Sequence, residues 1–231
     1  NFLPFVDSTD PGGFPFQATK DEMYCIDVYR VVAYDIHSFT KKFLITLPAE
    51  FVGHHARLCY TIFDSESNSI WLLGDGLVQI SLSTGKSNRY AWKCFKNIPR
   101  HCHASESMRY DSKRNCIWIN SNDGLVQFTL DDKKFHHVDA IDKLPSIKGY
   151  ETGLVHWHWI GIDMDTQGRV WSATVEKGII VYDPSAQTAF QPVEDNGNTG
   201  NEISDKNAAL YCDRDGIVWT SYWANKGIYE L

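Results

Sequence analysis

The sequence predicts an all-β fold, a β-propeller of four-stranded antiparallel blades with about five blades in this chain, and three observations carry that prediction. Trp71, Trp118, Trp171 and Trp219 recur at spacings of 47, 53 and 48 residues, with a weaker copy at Tyr24, 47 residues before Trp71. Each Trp follows an Asp by six or seven residues (Asp64, Asp111, Asp165, Asp213), with Asn68, Asn115, Gly168 or Gly216 between them. Each Trp also precedes a Gly by five to eight residues (Gly76, Gly124, Gly178, Gly227), after which a second apolar run begins. A unit of this length cannot bury its own apolar faces and must stack on copies of itself.

Within one repeat the elements follow in order. Strand A is the apolar run ahead of the Asp: "RLCYTIF", "SMRY", "HWIGIDM" and "NAALYC". Asp, Asn and Gly tolerate the backbone angles of a tight reversal, so the stretch between Asp and Trp is the A–B turn. Strand B carries the Trp, whose ring is expected to fill the gap between adjacent sheets. The Gly permits the B–C turn and strand C follows it. A second turn leads to strand D with Phe43, Tyr90, Phe135 or Phe190, and a longer polar crossing runs to the next copy. Four short antiparallel strands in about 47 residues make one propeller blade.

The blades anchored at Tyr24, Trp71, Trp118, Trp171 and Trp219 fill residues 1–231 as a single expected propeller domain. "NFLPFVD" at the start matches "AFQPVED" after the fourth blade, so residues 1–7 are expected as an outer strand closing the last blade. The alternative, five blades belonging to a larger ring, stays open.

Composition narrows the partners. With 22 Lys+Arg against 29 Asp+Glu the net charge is −7, which gives no general attraction for phosphate backbones, so nucleic acid is excluded as a partner. No run of about 18 apolar residues is present, so no membrane segment is expected in this chain and any anchor lies elsewhere. The six cysteines form no CxxC pair, against a zinc ribbon or thioredoxin-type site. Most lie in apolar runs, as buried thiols do.

Binding residues concentrate on loops held by a rigid scaffold. Fifteen or sixteen residues before three of the anchors, on the D-to-A crossings, stand His55, His103 and His156, while Ser204 takes that place before Trp219. With Arg57, Arg100, Trp157, His158, Lys206 and Asn207 they form a rim of reversed sign in an acidic protein. Aromatic faces stack on sugar rings, and Arg, His and Asn donate to hydroxyls and carboxylates. The expected ligand is therefore an oligosaccharide or another polar or anionic small molecule. The other readings are hydrogen bonds that merely join neighbouring crossings and a tris-His metal site. No catalytic residue, metal site or cofactor is expected: the crossings hold no paired carboxylates and no nucleophile motif.

The pattern of Asp, turn, Ile/Val-Trp, Gly-Leu/Ile, aromatic and Asp, clearest in "DTQGRVWSATVEKGIIVYDPSAQTAF", resembles the two-component regulator propeller repeat. Such repeats build the extracytoplasmic sensor region of hybrid two-component receptors of gut Bacteroidetes. The resemblance implies a non-enzymatic, periplasmic sensing domain, a kinase region of the same receptor as downstream partner in a phosphorelay, and a homodimer. The sequence departs from the repeat in blade one, which has Tyr24 for Trp, and after the other anchors, where Gly-Thr is replaced by Leu72-Leu73-Gly74, Ile119-Asn120 and Ser172-Ala173-Thr174. Asp-box, WD and kelch spacings fit worse. Two other functions remain: a propeller-based glycan lyase or lactonase, with one of the crossing histidines as base, and a protein-interaction platform.

Overall fold

The computed structural model describes residues 14–17, 19–26, 30–46, 61–73, 76–91, 104–121, 124–145, 161–174, 178–192, 207–222 and 228–230, and every structural statement refers to these. The chain divides into two compact units, Asn1–Ala91 and Trp92–Leu231. Unit one holds two four-stranded antiparallel sheets. The first is β1 (Phe14–Gln17), β2 (Glu22–Ile26), β3 (Arg30–Asp35) and β4 (Lys41–Thr46), and the second is β5 (Thr61–Asp64), β6 (Ser69–Leu73), β7 (Gly76–Ser81) and β8 (Ser87–Ala91).

Unit two holds three sheets. These are β9 (Ala104–Asp111), β10 (Cys116–Ser121), β11 (Gly124–Thr129) and β12 (Lys134–His137); β13 (Ile162–Met164), β14 (Val170–Thr174), β15 (Gly178–Asp183) and β16 (Thr188–Phe190); and β17 (Asn207–Cys212), β18 (Val218–Tyr222) and β19 (Ile228–Glu230). Strands pair in chain order within every sheet. These are the five blades of the predicted propeller, with strands A to D in order in the first four and A to C described in the fifth. Residues 1–7, the expected closing strand, lie outside the described residues.

The A–B turn explains the Asp of the repeat. Asp64 Oδ1 accepts the N–H groups of Glu66 (3.0 Å) and Ser67 (3.3 Å), and Asp111 Oδ1 those of Lys113 (3.1 Å) and Arg114 (3.2 Å). Asp165 Oδ1 accepts Gln167 and Arg169 N–H, and Asp213 Oδ1 accepts Asp215 and Ile217 N–H, all at 2.9–3.0 Å. The same four turns contain Asn68, Asn115, Gly168 and Gly216, all at positive φ, the conformation that Asn and Gly reach most cheaply.

The second carboxylate oxygen has a different task. Indole Nε1 of Trp118, Trp171 and Trp219 donates to Oδ2 of Asp111 (3.3 Å), Asp165 (2.9 Å) and Asp213 (2.8 Å). A buried indole N–H needs such an acceptor. Blade one solves the same problem with other residues: Thr19 Oγ1 accepts the N–H groups of Asp21 and Glu22, and Tyr24 donates its hydroxyl to Glu22 Oε2 at 2.9 Å.

Apolar faces of successive blades meet. In unit one Tyr24, Val31 and Ala33 of the first blade pack with Ile70, Leu72, Val78 and Ile80 of the second. In unit two Cys116, Trp118 and Leu125 pack with Ile162, Val170 and Ile180, and Trp171, Ala173, Ile179 and Val181 pack with Leu210, Cys212 and Val218. Tyr24, Trp118 and Trp171 thus face the next blade; Trp118 is 1% exposed and meets Tyr182 edge-on at 5.7 Å. Cys116 and Cys212 are free and buried, and burial pushes their thiols up to about 11 and about 12.

Replacing Trp118 with Ala removes a fully enclosed ring and should cost about 3–5 kcal/mol in urea unfolding. Trp219, only partly buried, should cost less on the same change.

The turn carboxylates also set a pH limit. The Trp219 N–H, with backbone N–H groups of the turn, holds Asp213 below the usual carboxylate range. Burial pushes Asp165 up, but the Trp171 and Arg169 hydrogen bonds outweigh it and hold it low as well. The N–H groups of Ser38 and His37 and the Ser38 hydroxyl bring Asp35 to about 2. Each folded pKa lies below its unfolded value near 4, so each contribution is complete above about pH 5 and lost as pH falls through the folded value. Unfolding free energy should therefore decline below about pH 4, and D213N should show a shallower decline in a denaturant series.

Candidate functional site

Antiparallel pairing in chain order puts the start of strand A, the B–C turn and the end of strand D at one end of a blade. Every D-to-A crossing therefore leaves and re-enters its blades at that end. Inside unit two, β13 lies beside β9 on one side and β17 on the other, whereas strands β12 and β16 are largely exposed. The A strands are thus the converging edge and the D strands the outer one.

Of the nine predicted ligand-binding residues, His55, Arg57, Arg100, His103, His156, Trp157, His158 and Lys206 lie outside the described residues. Asn207 is described by its backbone alone, which opens β17 opposite Tyr222. His103 immediately precedes β9, and Lys206 immediately precedes β17.

The crossing that carries His156, Trp157 and His158 re-enters at Gly161, whose carbonyl accepts Ala173 N–H (3.0 Å) and Asn120 Nδ2 (3.0 Å). Asn120 Oδ1 in turn accepts the Ser172 hydroxyl at 2.5 Å. Asn120 and Ser172 stand where the repeat departs from Gly-Thr, so the departure has a structural reason: a buried polar bond between blades three and four.

A second polar link involves residues the repeat pattern does not single out. Asp163, with its side chain 4% exposed, lies on β13 in the middle blade of unit two. Its Oδ1 accepts Arg109 Nε of the preceding blade at 2.8 Å and Met164 N–H at 2.8 Å, and its Oδ2 accepts Cys212 N–H of the following blade at 2.8 Å. One carboxylate therefore ties three consecutive blades together at the converging edge. The sequence signal was an Asp inside an apolar run, "HWIGIDM", where an unpartnered charge would be costly. Nearer the other end, Arg114 donates to Asp111 Oδ2 (2.8 Å), Gly168 O (3.2 Å) and Ser185 Oγ (3.0 Å), joining the turns of blades three and four. Chemically these links hold neighbouring blades in register, at the converging A strands and at the turns of the opposite end.

No family model and no curated protein matches the sequence. Solved structures do match. The extracellular domain of the putative hybrid two-component system BT4673 of B. thetaiotaomicron superposes with TM-score 0.62 at 14% identity over 91% of this chain. That of BT3049 from the same organism gives 0.60 at 17% over 94%. The chain spans 26% of the length of each of these two. The WD40 β-propeller domain of Doa1 gives 0.57 at 10% identity, covering 91% of this chain and 60% of that one. No helix among the described residues is long and apolar enough to cross a membrane. The chain has a β-propeller fold, similar to that of extracellular domains of B. thetaiotaomicron two-component systems.

Asp163→Ala should destabilise unit two by about 1–3 kcal/mol, chiefly because the buried Cys212 N–H loses its acceptor. Arg109→Met, which leaves the buried Asp163 carboxylate without its counter-charge, should cost about 1–3 kcal/mol in the same denaturation assay.

Proposed function

We propose that this chain is a ligand-sensing part of an extracytoplasmic two-component receptor, and that it binds an oligosaccharide or another polar, anionic small molecule on its D-to-A crossings. The observation that carries the reading is the recurrence of His55, His103 and His156 on crossings that re-enter their blades at strand A, the converging edge in unit two. The likeness in fold to extracellular domains of two-component systems supports the sensing role and the extracytoplasmic location.

Recognition rests on stacking and on charge-assisted donors. Trp157 supplies an apolar face for a sugar ring, while Arg57, Arg100 and Lys206 offer cationic donors to carboxylate or sulfate groups, and the imidazoles and Asn207 bond hydroxyls. Binding is non-catalytic: it shifts the equilibrium between two arrangements of the receptor by its difference in affinity for them. The output passes to a kinase region of the same receptor, and a homodimer of the sensing region is part of the same proposal.

The test is a thermal-denaturation screen against neutral and acidic oligosaccharides at millimolar concentration. A ligand at one hundred times its Kd should add about 2.7 kcal/mol of apparent stability. His103→Ala with Arg100→Ala should abolish that shift while leaving the unliganded melting temperature unchanged. No shift with any glycan would end the oligosaccharide reading, and unsaturated products from a polyuronate would replace sensing with a lyase.

A further inference from the structure

We propose that His137, Asp139 and Asp142, at the end of the third blade's outer strand, form a binding site for one divalent transition-metal ion, with zinc as the type. The proposal uses none of the crossing residues named above and does not depend on them.

The backbone holds these three side chains together. β12 ends at His137, and Val138 N–H donates to Leu125 O at 3.0 Å. A single 3-10 turn, Ile141–Lys143, follows, in which Ile141 N–H donates to Val138 O (3.2 Å) and Asp142 N–H to Asp139 O (3.2 Å). Val138 and Ile141 are buried in the core shared by blades three and four. These two apolar plugs fix a spacing of i, i+2 and i+5 for His137, Asp139 and Asp142. The turn lies in the longest repeat, the one with 53 residues between its anchors.

His137 Nδ1 is 2.8 Å from Asp139 Oδ1 and 3.9 Å from Asp142 Oδ2, and the three ligand atoms all lie within 4.8 Å of one another. Nitrogen and carboxylate ligands sit about 2.0–2.2 Å from zinc, so bound donors are about 3–3.5 Å apart. Closing the observed triangle takes movements of about an ångström.

Surroundings suit an ion with water in its remaining positions. The His137 side chain is 9% exposed, its other nitrogen against the B–C turn at Gly124, where an added Cβ would come within 3.4 Å of Nε2. The carboxylates are open, at 87% for Asp139 and 37% for Asp142. Two carboxylates neutralise a divalent ion, and an imidazole favours zinc and its neighbours over calcium and magnesium, which take oxygen ligands.

The experiment is isothermal titration of the EDTA-stripped full chain with zinc chloride, and with calcium chloride in parallel, for the unchanged sequence and for D139N and D142N. Histidines and cysteines elsewhere also bind zinc, so an anomalous-scattering map at the zinc edge supplies the position. The expected result is one equivalent of zinc whose affinity falls at least tenfold in each variant, with unchanged melting temperature in EDTA and an anomalous peak about 2 Å from His137 Nδ1. If D142N fails to fold, D139N, whose carboxylate is the more exposed, carries the comparison. Equal zinc affinity in the variants, an anomalous peak only elsewhere, or calcium binding as tightly as zinc would each overturn the proposal.

Discussion

Within each unit, the burial of one blade's aromatic-bearing face on the aliphatic face of the next is the interaction on which the other features depend. Strands of three to eight residues cannot form a stable two-layer core within one sheet, so both faces of a middle strand have to find partners in neighbouring sheets. β6 and β10 are buried at every position, and most of their residues are apolar. The outer strands β8 and β12 pair on one edge only and are correspondingly polar.

A large ring in that sandwich brings an N–H into a dry place. The turn Asp resolves the difficulty while shaping the hairpin, with one oxygen on the turn's backbone and the other on the indole of Trp118, Trp171 or Trp219. Asp64 instead accepts the Ser67 hydroxyl with its second oxygen; in the three blades of those indoles the double use explains Asp in place of Asn or Ser, since two acceptor oxygens are needed and no donor. It also makes acid a threat to the turns and to the core together. The Thr19, Glu22 and Tyr24 set in blade one shows that the physical requirement can be met by a different group of residues.

Where blades converge, their apolar contacts are supplemented by buried polar ties, Asp163 to Arg109 and Cys212, and Asn120 to Ser172 and Gly161. Such ties are directional, whereas apolar burial fixes distance better than register. The bond of Asn120 to Gly161 lies where one crossing re-enters its blade and gives that crossing a stiff point of attachment. The His137 cluster uses the same logic at the outer edge, with two buried aliphatic side chains anchoring a short turn whose polar groups face out.

By itself the sequence determined the blade: the Asp-turn-Trp-Gly order specifies four short strands and three turns, because turn chemistry and the burial of a ring are local demands that each repeat states in full. It also marked Asn68, Asn115, Gly168 and Gly216 as turn residues, and all four have positive φ. Left-handed Phe39, Lys133 and Gln187 in the C–D turns were not legible, since nothing in those residue types favours that conformation and only the hairpin register imposes it. The crossing residues His55, His103 and His156 are equivalent by counting, but counting along a chain does not show which way a long polar loop turns. Only the tertiary structure showed that Asp163 reaches two other blades, or that His137, Asp139 and Asp142 share one corner. Those relations join segments up to 54 residues apart, and their reason lies in the packing of sheet on sheet.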